Sequence, residues 1–150
     1  MLSVESKSQG TRFLLERFES ALNKLSSEIQ AYPNDWKIWI REGEIQNSAG
    51  TLCMYLLSKI HEASTLLMGK SFAEDQYHAE HATRSNLVEK VVLVKNVMVD
   101  LLVQSRYDDL NRDFPVPYRG NVVTASTYLY FLLTEVYFHI GQINYHRRLI

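Results

Sequence analysis

Cysteine is nearly absent from this chain: Cys53 stands alone among 150 residues, so no disulfide can form within it. Leu52, Leu56 and Ile60 surround it at helical spacing, which implies a buried, inert thiol. An excess of charge of one sign is also missing. Sixteen Lys and Arg stand against 17 Asp and Glu, and the two signs are interspersed, which argues against a nucleic-acid binder with its basic face. No run approaches the ~20 charge-free apolar residues of a membrane span, because Glu135, His139 and Gln142 interrupt the best candidate. The opening MLSVESKSQG lacks the apolar centre of a signal peptide, and the expected location is cytoplasmic. No Ser-His-Asp order, phosphate-binding glycine loop or Cys-x-x-Cys pair is present.

What is present is an ordinary globular composition, 46% hydrophobic and 22% charged, and the chain reads as a single domain over residues 1–150. A chain of this size buries roughly two thirds of its unfolded surface, so neither a disulfide nor a structural metal is required for folding.

Helical periodicity dominates. Leu14, Phe18, Ala21, Leu22, Leu25 and Ile29 form one stripe of an amphipathic helix over residues 11–30, which Pro33 brings to a stop. Residues 32–46 hold Trp36, Trp39 and Gly43 and read as a structured loop, the tryptophans forming a lid on the end of the fold. Asn47 or Ser48 caps a second helix with Ala49, Leu52, Cys53, Leu56, Ile60, Ala63 and Leu67 on its apolar face, and Gly69 ends it. His61 falls on the solvent side. Residues 70–85 are polar; His78 and His81 lie there among Glu74, Asp75 and Glu80, a cluster better read as solvated charge than as a metal site.

The valines of residues 86–107 suit a strand by composition. Their spacing (87, 88, 91, 94, 98, 101, 102) and the length of about 20 residues favour a third helix. NRDFPVPYRGN is a loop. The last run, Thr127 to Ile150, completes an all-α, antiparallel four-helix bundle.

That last helix has almost no polar face, yet Glu135 and His139 stand one turn apart on one side of it, with Tyr128, Phe131, Leu132, Gln142, Ile143 and His146. Such groups need partners inside an apolar stripe: each other, another helix, or a metal. On the opposite side Leu129, Leu133, Tyr137 and Ile140 are apolar as well, and a homodimer through this helix is the expected cover.

HIGQINYHRRLI and NSAGTLCMYLLSKI resemble the DinB/YfiT-like superfamily of four-helix bundles, and the likeness in helix count and order covers most of the chain. The resemblance implies a divalent-metal site (zinc, nickel, manganese or iron) built from three histidines, one on the second helix and two on the last. It also implies, for some members, thiol-dependent transfer chemistry. Residue by residue, His139 matches the second histidine of the pair, Glu135 replaces the first, and Tyr55 stands at the helix-two position.

Glutamate and histidine at this spacing make a competent half-site. A neutral phenol is a poor ligand. Two readings stay open. In one, Tyr55, Glu135 and His139 hold a metal for a thiol transferase or hydrolase. In the other, the bundle is non-catalytic: the three groups bond to one another without metal, or the old site takes a small organic ligand. Where Glu135 is a metal ligand or a core partner, its replacement by alanine is expected to cost several kcal/mol.

Overall fold

The computed structural model describes residues 8–41, 43, 44, 46–71, 77 and 81–150, with the backbone alone at 107 and 108. All regular structure there is helical: α1 (Gln9–Gln30), a 3-10 turn (Lys37–Trp39), α2 (Ala49–Leu67), α3 (Arg84–Gln104), the short α4 (Tyr107–Asn111) and α5 (Ala125–Leu149). The expected all-α class is what these residues form, with no strand among them.

Each long helix begins the same way. Ser8, Ser48, Thr83 and Thr124 accept a hydrogen bond from the backbone N–H three residues on, which satisfies one orphan donor at each start and is worth about 1 kcal/mol per cap. α2 closes on Met68, and Gly69 then takes a positive φ of 72°, a left-handed exit that glycine adopts without a Cβ penalty.

The stripes meet in one core. Phe18, Leu22, Leu25 and Ile29 of α1, Leu56 and Ile60 of α2, Val94 and Met98 of α3, and Leu129, Val136 and Ile143 of α5 are fully buried. The valine-rich segment is helix α3, with Leu87, Val91, Val94, Met98 and Leu102 facing inward. Side-chain spacing outweighed β-propensity there, since a 3.6 period buries one face of a helix and would scatter those residues over both faces of a strand.

α1 and α2 each pack against both α3 and α5. End contacts give the directions. Phe13 meets Tyr130 near the starts of α1 and α5, and Tyr32 meets His146 near their ends, so α1 and α5 run parallel. Trp39 bridges the starts of α2 and α3, and Ser64 touches Met98 near their ends, so these two are parallel as well. Arg84, at the start of α3, binds the Tyr32 carbonyl and the Asp35 carboxylate just beyond α1, which makes α1 and α3 antiparallel.

Tyr55, early in α2, meets His139, late in α5, so that pair is antiparallel too. Neighbours alternating in direction throughout, as the sequence suggested, is therefore not the arrangement. The parallel pair α2 and α3 start at the same end of the molecule, whereas α3 and α5 run in opposite directions, so residues 105–124 join neighbouring helix ends. Periodicity shows which face is apolar and says nothing of which helix that face meets.

The tryptophans divide. Trp39 packs on Gly50 so closely that a Cβ at that glycine would lie 2.6 Å from its ring, and its indole N–H donates to the Ala82 carbonyl. Trp36 is 62% exposed. Only Trp39 acts as the expected lid. No described helix is long and apolar enough to cross a membrane.

Candidate functional site

α2 and α5 lie side by side and place Tyr55, Glu135 and His139 in one neighbourhood without closing them into a single ligand set. Tyr55 is 41% exposed, and its ring meets the His139 imidazole edge-on with centroids 5.6 Å apart. His139 Nδ1 lies 2.6 Å from Gln142 Oε1; the amide oxygen can only accept, so Nδ1 carries the proton and the Nε2 lone pair stays open. Glu135 is half-buried and, among the described residues, has neither a hydrogen-bond nor an ion-pair partner.

The chain of bonds from phenol to carboxylate to imidazole, one of the two arrangements left open above, does not form. Tyr55 spends its ring on the imidazole edge, and His139 is held by its own helix through Gln142.

Two cavities flank these residues. The smaller, about 210 Å³, is lined by Tyr55, Lys59, Tyr118, Arg119, Tyr128 and Glu135, with Pro117 and Leu132 behind them. His139 is not part of it. The larger, about 560 Å³, lies over the other end of α5 between Phe138, Gln142, Tyr145 and the loop carrying Glu44 and Asn47. The three sequence-assigned positions thus split: Tyr55 and Glu135 face the first cavity, while His139 faces Gln142 at the margin of the second.

The small cavity is walled by residues 112–124, which the sequence marked only as a loop. Backbone bonds from Phe114 N to Val123 O (2.8 Å) and from Ala125 N to Arg112 O (2.8 Å) fold this segment back on itself, and the Arg112 guanidinium ties it to the Leu67 carbonyl. Phe114 stacks on Tyr128 with ring centroids 3.6 Å apart, and Tyr118 stacks on Phe131 at 4.5 Å. Burial raises the Tyr128 pKa, with Glu62, Glu135 and neighbouring phenols adding to the effect, so its hydroxyl is a neutral donor or acceptor at the cavity.

As a metal site the donors fit poorly. Glu135 and His139 Nε2 are competent, Tyr55 is a neutral phenol, and Lys59 and Arg119 place two positive charges on the cavity that Tyr55 and Glu135 share. Among the described residues no three His, Cys, Asp or Glu side chains converge. Of the polar cluster between α2 and α3, His81 lies at an exposed left-handed position; Glu74, Asp75, His78 and Glu80 lie outside the described residues.

A second polar centre escaped sequence reasoning. His146 is 1% exposed. Its Nε2–H donates to the Ile40 carbonyl (2.8 Å), so Nδ1 is the acceptor for the Tyr32 hydroxyl at 2.6 Å. Beside it, Glu28 receives the Asn144 amide at 2.8 Å and the Arg147 guanidinium at 3.1 Å. Burial raises the Tyr32 pKa, opposed by Arg147 and reinforced by Glu28. His61, expected in solvent, is half-buried, binds the Tyr77 hydroxyl at 2.7 Å, and has its pKa lowered by burial.

Comparison with protein-family models and with curated proteins returns no match to this chain. The geometry of these side chains therefore carries the functional argument.

Proposed function

We propose that the chain is a DinB/YfiT-like four-helix bundle that has given up metal chemistry and binds a small organic molecule in the cavity beside Tyr55. The observation that carries this reading is the company Glu135 keeps. Its carboxylate shares a cavity of about 210 Å³ with Lys59 and Arg119, and two cations there oppose a divalent ion electrostatically while suiting an organic ligand with an anionic group. The tyrosine faces supply apolar contact, the usual make-up of a small-molecule site with a few polar anchors.

A homodimer belongs to the same reading, though not through the side the sequence suggested, because Leu129, Leu133 and Ile140 are buried in the chain's own core and Tyr137 alone of that set is exposed. Along the outer side of α5, Tyr130, Phe138, Tyr145 and Leu149 are all exposed, with Gly141 between them and nothing of its own chain within 4 Å of the position a Cβ would take. This apolar strip supports a second copy packing against α5.

A metal-dependent transferase or hydrolase is the second reading. Glu135 and the open Nε2 of His139, one turn apart, favour it. The decisive experiment is metal content per chain of protein purified without tag or chelator, beside the Glu135→Ala/His139→Ala double variant. Metal-free protein in both supports ligand binding. Near-stoichiometric metal that disappears in the variant overturns it in favour of the enzyme.

A further inference from the structure

The turn that roofs the small cavity is unusual for its sequence. Tyr118 and Asn121 exchange both backbone hydrogen bonds, at 2.9 and 3.0 Å, around Arg119 and Gly120, whose φ angles are 48° and 82°. Positive φ at both central residues marks a tight two-residue turn that prefers Asn, Asp or Gly at its first position. Arginine there holds a strained backbone for a Cβ-bearing residue, of the kind that gathers at ligand sites.

The guanidinium that results lies over the Tyr118 ring, 5.3 Å from its centroid. Among the described residues it has no ion-pair partner. The side chains behind it are fixed: Tyr118 is stacked on Phe131 and stands edge-on to Tyr128, which is stacked on Phe114. The cavity is thus formed before any ligand arrives.

Charge inside the cavity is arranged, not uniform. Lys59 sits 5.8 Å from the Tyr55 ring and only loosely, at 3.9 Å, from Glu62. Arg119 stands on the roof and Glu135 on α5, the latter without a partner among the described residues. A simple anion would meet the Glu135 carboxylate, and a simple cation would meet Lys59 and Arg119; either is penalised by like charge. At about 210 Å³ the space falls below the roughly 300–1,000 Å³ of pockets for drug-sized ligands.

We infer that this cavity receives a small zwitterion with the charge pattern of an α-amino acid. Its carboxylate is held by Arg119, with Lys59 in support, its ammonium by Glu135, and its side chain by the parts of Tyr55, Tyr118 and Tyr128 that line the cavity. Arg119 is the principal anchor, since Glu62 takes part of the Lys59 charge and a guanidinium meets a carboxylate through two parallel N–H donors. The inference rests on the ligand-binding reading above and narrows it to one chemical class.

The test is titration calorimetry of the full chain with the twenty proteinogenic L-amino acids, then with the deaminated and decarboxylated analogues of the best binder. The expected result is saturable binding of at least one amino acid, with each analogue about tenfold weaker or worse, the loss of one charge-assisted contact. Arg119→Asn suits the left-handed turn better than arginine and leaves folding intact; it should cost about tenfold or more in affinity. Glu135→Gln should narrow the gap between the amino acid and its deaminated analogue.

Absence of binding by all twenty, equal binding of the deaminated acid, or unchanged affinity in Arg119→Asn overturns the inference. Failure of the parent reading is distinguishable. It shows as stoichiometric metal in the untreated protein, whereas metal-free protein that ignores amino acids sinks only the zwitterion.

Discussion

The Tyr32 hydroxyl lies 2.6 Å from Nδ1 of His146, 114 residues later in the chain, and fastens the end of the first helix to the end of the last. Both side chains are about 1% exposed, so neither polar atom has water to fall back on. Tyr32→Phe should therefore destabilise the fold by about 1–3 kcal/mol by leaving the imidazole nitrogen unsatisfied. His146→Ala should cost more, ~2–5 kcal/mol, since it also opens a cavity and strips the Ile40 carbonyl of its donor. Urea unfolding of both single variants and the double variant measures the coupling; independent, additive losses would disprove it.

Stability should fall steeply in alkali. Burial pushes Tyr77 from 10.0 up to about 12 and Cys53 from 9.0 up to about 12, and it raises Tyr32 and Tyr128 as well. Above the unfolded values these groups ionise in the open chain and stay protonated in the native one. The unfolded state then binds fewer protons, so stability is lost as pH rises from about 9 towards 12. Absorbance of the nine tyrosines near 295 nm should show an early, reversible set and a late set that ionises with loss of helical circular dichroism.

Two helix glycines should respond oppositely to alanine. At Gly50 the new methyl meets the Trp39 ring at 2.6 Å, and overpacking of this kind costs ~1–3 kcal/mol. At Gly141 it meets nothing within 4 Å, so the monomer should gain up to about 1 kcal/mol of helix propensity. If a second copy packs on α5, the same substitution weakens association. Thermal melts at two protein concentrations, with sedimentation equilibrium, separate the two effects on Gly141→Ala.

Glu135→Ala should cost less than about 1 kcal/mol, well short of the loss the sequence suggested, because the carboxylate is half-buried at a cavity margin and surface substitutions of this kind are nearly neutral. Thermal unfolding reads this directly. A loss of 3 kcal/mol or more would mean that the carboxylate has a buried partner after all.

The helices were legible because burying a stripe imposes a period of 3.6 that survives in one sequence: every residue assigned to the α1 and α2 stripes is buried. Helix direction was not legible, since it is set by which apolar face meets which and both choices bury similar area. Tyr55, Glu135 and His139 were singled out from the sequence and its resemblance, yet their separation between two cavities depends on the Gln142 amide and on residues 112–124. The Glu28–Arg147 and Tyr32–His146 pairs join positions more than 110 residues apart, and no local pattern announces such a meeting. Arg119 had one usable signal, the Arg-Gly pair within NRDFPVPYRGN, where a two-residue turn sets an arginine at a left-handed position.

Parallel pairing of α1 and α5 also fixes a timetable for synthesis. α1 and α2 both need α5 to cover their inner faces, and α5 is made after both of them. An emerging chain therefore carries Phe18, Leu22, Leu56 and Ile60 without their final neighbours until Leu149 has cleared the ribosome, a delay on the order of seconds for 25 residues at typical elongation rates. During that interval the nascent protein presents its core to the cell, and truncations within α5 should yield a client of chaperones and proteases instead of a smaller folded domain.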